Sequence, residues 1–224
     1  MRREQQKEVR RRAILHSAET LVRETHSVDF SMIDLGKRAG LSTATTYNLI
    51  GSKATVLYTL LNQSLSRLFE QSRLAYRGND PIEHILMAAD VAARFFTADP
   101  NFYKPMMMFL LGVPDPVHRP QFMQMAFNYW ADAVEELATA LKTSEPVEAA
   151  DIALNCHILF AGALDLWVQN ELDNAQFQAQ VHHSVAIQLV FLANKRVQNR
   201  LLKSIRETRA QLPPLARRSE AAAQ

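Results

Sequence analysis

Apolar side chains recur at helical spacing along nearly the whole chain, whereas strand-like alternation of β-branched and polar residues is almost absent. Glycine, which would mark frequent tight turns, occurs only 6 times in 224 residues. A chain patterned in this way is expected to be all-α. Ile14, Ala18, Leu21 and Val22 share one face of a first helix over about Glu4 to Glu24. Two short helices, Ser31 to Ala39 and Thr43 to Asn48, flank Gly40-Leu41-Ser42. A longer one from about Lys53 carries Val56, Leu57, Leu60, Leu61, Leu65, Leu68 and Phe69 and ends before Gly78-Asn79. Asp80-Pro81, Asp99-Pro100 and Glu145-Pro146 each read as an N-cap followed by proline at the first helical position. They predict helices over about 81–98, 101–112, 119–143 and 146–172, with 112–120 as a loop, and a last long helix from about Asn174 to Gln211.

Net charge by itself says little, since 25 Lys and Arg against 23 Asp and Glu leave +2. The distribution says more. Residues 1–53 carry 10 basic and 6 acidic side chains, residues 54–194 carry 7 and 15, and residues 195–224 carry 8 and 2. The ends are basic and the middle is acidic. Hydrophobic residues, 48% of the chain, suffice for a sizeable core. A single cysteine, Cys156, rules out an intramolecular disulfide framework or a multi-cysteine zinc site and favours a reducing compartment. No apolar stretch of a signal peptide follows Met1-Arg2-Arg3-Glu4. The longest apolar run, Ile152 to Val168, is interrupted by Asn155, His157 and Asp165 and falls short of the roughly 20 residues of a membrane span. The expectation is a cytoplasmic protein without a membrane partner.

The segment from Ser31 to Lys53 carries the chemistry. Two helices of under ten residues joined by a tight turn match a helix-turn-helix. Gly40 can take positive φ where the chain reverses, Leu41 is expected to point into the small core, and Ser42 can cap the second helix. Gly36 and Ala39 are small enough for the two helices to cross closely. Thr43, Thr45, Tyr47 and Asn48 make the second helix too polar for a core element and suited to base edges and phosphates in a major groove. Gly51-Ser52-Lys53 opens the next helix, where backbone N–H groups and the Lys53 ammonium can hold a phosphate. The plainer alternative is a helical hairpin whose polar residues are merely solvated.

The run Ala39-Gly40-Leu41-Ser42, with Thr45, Tyr47, Gly51-Ser52-Lys53 and Leu57, resembles the signature of TetR-family transcriptional repressors, and Ile14-Leu15-x-x-Ala18 resembles that family's entry helix. The pattern departs near His26, where the family usually has glycine, and at Leu49, Thr46 and Ile50, where it has often histidine, an aliphatic residue and an aromatic one. The resemblance implies a three-helix DNA-binding domain over residues 1–75 and a helical effector-binding and dimerisation domain over 76–211, with 212–224 expected as a disordered tail. DNA contacts are expected from Ser31, Ser42, Thr43, Thr45, Tyr47, Asn48 and Lys53. The basic residues Arg2, Arg3, Lys7, Arg10, Arg11 and Arg12 would lie beside the DNA backbone. The basic group from Lys195 to Arg209 fits the C-terminal end of a helix electrostatically.

Aromatic residues and methionines concentrate in the middle of the chain, and an ordinary helical core accounts for most of them. Pliable methionine beside flat rings also suits an adaptable cavity. In the resemblance, Phe95, Phe102, Met106, Phe109, Phe122, Met125 and Tyr129 would line an effector pocket for an apolar, neutral or cationic compound. Ile152 to Val168 and Val185 to Ala193 are apolar nearly all round, which predicts a two-fold homodimer with Gly162 and Ala163 at a close approach. His182 and His183 project about 100° apart on a helix, and no metal-ligand spacing or catalytic constellation is present, so no metal, cofactor or enzymatic activity is expected. Together these point to a repressor released from a palindromic operator by a hydrophobic small molecule. The alternatives are a DNA-binding dimer without an effector, and a helical enzyme or lipid carrier with an incidental helix-turn-helix.

Overall fold

The computed structural model of the chain describes residues 2–78, 80–112, 114–140 and 148–212. Among them are ten helices and no strand: α1 (Arg2–Thr25), α2 (Met32–Arg38), α3 (Thr43–Ile50), α4 (Lys53–Ala75), α5 (Pro81–Thr97), α6 (Pro100–Gly112), α7 (His118–Ala140), α8 (Ala149–Val168), α9 (Asn174–Leu189) and α10 (Lys195–Arg209). The all-α expectation holds. The start signal at Glu145-Pro146 and the tail from 213 lie outside the described residues. Asp80 caps α5, its Oδ1 accepting from Ile82 N at 3.0 Å, and Asp99 Oδ1 accepts from Phe102 N at 3.2 Å at the start of α6.

The helices form two compact units, one of residues 1–67 with 99–125, the other of residues 68–98 with the described residues after 125. In the first, α1 packs against α2, α3 and α6. Ile14, Ala18, Val22, Leu35, Val56, Leu57 and Leu61 are wholly buried there, and Leu21 is half-buried. Arg23 ties α1 to α6: its guanidinium pairs with Asp99 and lies 4.3 Å from the centroid of the Phe102 ring. In the second unit α9 packs against α5, α8 and α10. Phe160 contacts Trp130 at 5.6 Å and Phe177 at 5.8 Å, and Trp167 stacks on Phe177 at 5.3 Å. Cys156 is fully buried on α8, and burial pushes its thiol up to about 12.

Three expectations are corrected. The single helix from Asn174 to Gln211 is two helices, because Asn194 Oδ1 accepts from Arg196 N and Val197 N at 3.1 Å each and restarts the helix there. The break lets α10 lie against α9 and bury Val197 and Leu201. Lys195 and Arg196 therefore sit in the first turn of α10, where the helix dipole does not favour them, and Arg200 pairs with Glu83 and Asp80. Only Arg206 and Arg209 lie in its last turn. The second correction is the loop at 112–120, since α7 already starts at His118. Asp115 Oδ1 accepts from His118 N at 2.7 Å and starts that helix. The third concerns α8, which by length and composition alone is long and apolar enough to cross a membrane, as the core helix of a soluble protein can also be. A count that begins at Ile152 omits its first turn.

His182 on α9 joins three helices, with Nδ1 at 2.7 Å from Asp90 Oδ1 on α5 and Nε2 at 2.6 Å from Ser204 Oγ on α10. The Asp90 hydrogen bond holds the imidazole above its ordinary value of 6.5, against the opposing effect of burial. Protonation thus favours the folded state, a contribution complete below about pH 6.5 and lost as pH rises through the raised folded value. The melting-temperature gap between wild type and Asp90→Asn is therefore expected to widen as pH is lowered from about 9 to about 6. A gap that stays constant or narrows on acidification in thermal unfolding counts against this linkage.

Candidate nucleic-acid interface

Helix α2 is started by a reciprocal cap. Ser31 Oγ accepts from Asp34 N at 3.1 Å, and the Asp34 carboxylate accepts from Ser31 N at 3.2 Å and from Ser31 Oγ at 2.5 Å. The two bonds from Ser31 hold the Asp34 carboxyl below the usual carboxylate range. The chain then turns at Gly40, with φ at 68° in the left-handed region, and Leu41 N donates to Gly36 O at 2.9 Å. Leu41 itself is only half-buried.

Ser42 caps α3 by accepting from Thr45 N at 3.2 Å, and its hydroxyl lies 2.8 Å from Thr45 Oγ1. The inward side of α3 is Thr46 and Ile50. Thr46 is buried because its hydroxyl donates to Ser42 O at 3.1 Å within its own helix, which leaves no polar group unpaired. It packs where α2 presents Gly36: a Cβ on Gly36 would stand 2.9 Å from Thr46 Oγ1 and 3.1 Å from Leu41 O. On the outward side Ala44, Tyr47 and Asn48 are exposed, Tyr47 to 50%, with Thr43 and Thr45 half-buried at the edges. Ala44 is not among the expected contacts, yet it precedes Asn48 by one turn and shares its face; a methyl there suits the methyl of thymine.

Gly51, with φ at 81°, ends α3, and Ser52 caps α4 by accepting from Thr55 N at 3.2 Å. Lys53 is the first residue of α4, half-buried, with Nζ 5.1 Å from the Phe30 ring centroid. On α1 Lys7 pairs with Glu4 at 2.9 Å and Arg12 with Glu8 at 3.1 Å, while Arg3, Arg10 and Arg11 are exposed. Of the seven expected DNA contacts, Tyr47 and Asn48 present open side chains; Thr43, Thr45 and Lys53 are partly covered. The hydroxyls of Ser31 and Ser42 serve as helix caps.

The expected effector-pocket residues are divided between the units. Phe109 and Phe122 come together around Tyr58 in the first, each ring 6.3 Å from it. Phe102 and Met106 are wholly buried there, and Met125 is half-buried. In the second unit Phe95 meets Phe96 edge-on at 5.7 Å. Tyr129 donates to Ala88 O at 2.7 Å and lines a half-open cleft of about 200 Å³ with Ser72, Arg73, Tyr76, His84 and Asp132. No group of three or more His, Cys, Asp or Glu that would suit a metal ion occurs among the described residues.

No family model and no curated protein sequence matches the chain. Solved structures do. The repressor SmeT of the Stenotrophomonas maltophilia multidrug efflux pump SmeDEF superposes with a TM-score of 0.61 over 80% of this chain and 88% of its own, at 17% identity. The R. erythropolis transcriptional repressor QsdR, of the TetR family, gives 0.58 over 81% and 92% at 16% identity. The TetR-family transcriptional regulator PfmR from Thermus thermophilus gives 0.52 over 77% and 96% at 20% identity. At these identities the likeness is one of fold, and the fold is that of TetR-family regulators.

Gly36 and Gly40 are constrained by different physics, and substitutions separate them. Gly36→Ala should destabilise the protein by about 1–3 kcal/mol through overpacking. Gly40→Ala should cost about 1–2 kcal/mol through backbone conformation alone, and Gly40→Asn less, because asparagine tolerates the left-handed region. Urea unfolding of the three variants checks the order; equal losses for Ala and Asn at position 40 would be contrary to it.

Proposed function

We propose that the chain is a sequence-specific, ligand-responsive DNA-binding regulator that acts as a repressor and leaves a palindromic operator when a hydrophobic small molecule binds. The observation that carries this reading is the outward face of α3. Tyr47 and Asn48 stand exposed on a helix fixed from behind by the Gly36–Thr46 crossing, next to Lys53 at a capped helix start. Asn48 can pair with adenine in the major groove, and Tyr47, Lys53 and the basic face of α1 supply phosphate contacts. The fold likeness to the repressors SmeT and QsdR supports the same reading. Residues 1–75 would form the DNA-binding domain and residues 76–211 the effector-binding and dimerisation domain, without enzymatic activity.

Reading a palindrome requires two recognition helices about 34–36 Å apart, and therefore a second copy of the chain. Support for one lies on α8, α9 and the residues that follow α9, where Leu154, Ile158, Ile187 and Phe191 are exposed, Phe191 to 85%. Nothing falls within 4 Å of a Cβ built on Gly162, so that stretch is open to a close partner. An apolar helix in this position is better explained by a partner helix than by lipid, since Asn155 and Asp165 interrupt it. An effector that favours another separation of the two recognition helices lowers DNA affinity by its differential affinity for the two states.

Three measurements test the reading. On an operator selected from random duplexes, Lys53→Ala should weaken binding to all sequences alike and lower the salt slope by about 1, while Asn48→Ala should relax base preference at one position per half-site. Tyr47→Ala and Lys53→Ala proteins that bind as tightly as wild type while retaining their helical circular dichroism would remove α3 and the α4 start from the interface. In light scattering the wild type should be a dimer at micromolar concentration and Ile158→Glu a monomer. A wild-type monomer would overturn the dimer.

A further inference from the structure

Helix α4 carries two fully buried polar atoms without a hydrogen-bond partner among the described residues, the Tyr58 hydroxyl and Asn62 Oδ1. Standing at i and i+4, they leave the same side of the helix one turn apart. Tyr58 is 1% exposed. Its ring is enclosed by Phe109 and Phe122, both edge-on at 6.3 Å, and by His118 stacked at 5.5 Å. Burial first, and then the negative charge of Asp115, raises the phenol's pKa, so it is a neutral donor at physiological pH. Asp115 is itself taken up by the backbone N–H groups of Val117 and His118 and by His118 Nδ1. All these residues belong to the first compact unit. An apolar core normally excludes polar atoms it cannot pair, so two such atoms one turn apart and beside aromatic rings point to a partner beyond the described residues.

We infer that Tyr58 and Asn62, on the last helix of residues 1–75, form the polar end of an effector site whose apolar walls, Phe109 and Phe122, come from residues 76–211, and that its ligand is a neutral, flat, apolar compound bearing a hydroxyl group. The inference rests on the reading of the chain as a ligand-responsive regulator. Asn62 Oδ1 can only accept a hydrogen bond, so the ligand must donate one; the Tyr58 proton needs an acceptor, so the ligand must also accept. A hydroxyl does both. A carboxylate only accepts, and its charge would be desolvated near Asp115. An ammonium only donates and would leave the Tyr58 proton without an acceptor. A bare hydrocarbon leaves both atoms unpaired, while the rings of Phe109 and Phe122 supply flat surfaces for an aromatic skeleton.

Three probes with one skeleton test the assignment: naphthol, naphthalene and naphthoate, each titrated into the full chain by calorimetry. Naphthol is expected to bind on the order of tenfold more tightly than naphthalene, with naphthoate weakest. Tyr58→Phe and Asn62→Leu should each remove that preference and leave naphthalene affinity unchanged, which also shows that the variants are folded. Equal affinity for naphthol and naphthalene, a preference that survives both substitutions, tightest binding of naphthoate, or binding of none of the three would overturn the assignment. Release of fluorescent operator DNA is read separately. Binding of naphthol through Tyr58 and Asn62 without DNA release leaves the hydroxyl site standing and overturns ligand responsiveness, whereas equal release by naphthol and naphthalene, unaffected by Tyr58→Phe, does the reverse.

Discussion

The presentation of α3 depends on a crossing that admits no side chain. Gly36 faces the Thr46 hydroxyl and the Leu41 carbonyl at distances where even a methyl group would force one of them to move. Leu41 O belongs to the backbone of the turn and cannot rotate away, and Thr46 Oγ1 is tied to Ser42 O. The separation of α2 and α3 is thereby fixed from both sides, and with it the direction in which Tyr47 and Asn48 project. Ser42 holds the first turn of α3 and Gly51 its last, so the eight-residue helix, too short to be stable by itself, is constrained at both ends and at its middle.

Most of this is legible in the sequence because it depends on residues with few conformational options. Gly40 at positive φ, Ser42 as a cap, and the Asp-Pro pairs at 80 and 99 each state a backbone geometry directly. His26 also stands at positive φ, 51°, near the position where the resemblance to the TetR family calls for glycine. The break at Asn194 is hidden because neither glycine nor proline marks it. Asparagine within a helical pattern looks like an ordinary surface residue until Val197 and Leu201 are seen to need cover from α9. Leu41, expected inside, is half-buried, since the Gly36–Thr46 contact already closes the crossing beneath it. Ala44 gives no signal because its contribution to the outward face is position, and its side chain carries no polar group.

Polar groups inside the two units fall into two kinds. Thr46 and His182 are satisfied by the protein, the first within its own turn and the second between α5 and α10, and such groups specify one packing arrangement over others. Tyr58 and Asn62 are unsatisfied among the described residues and lie on α4, the helix whose first residue is Lys53. Helix α4, which begins directly after α3, thus has an interior face that the described residues leave incomplete. A molecule completing that face would act on the element that carries Lys53 without touching DNA.

Cys156 has a practical consequence. It is the sole thiol of the chain, wholly enclosed on α8, and kept in the unreactive protonated form by its surroundings. Thiol-directed reagents and spin labels are therefore expected to react slowly with the folded wild-type protein. A cysteine placed at Ala44 or Asn48 would then be the single labelled point of each chain. In the proposed dimer two such labels would report the spacing of the two α3 helices directly, by dipolar coupling, without removal of the native cysteine.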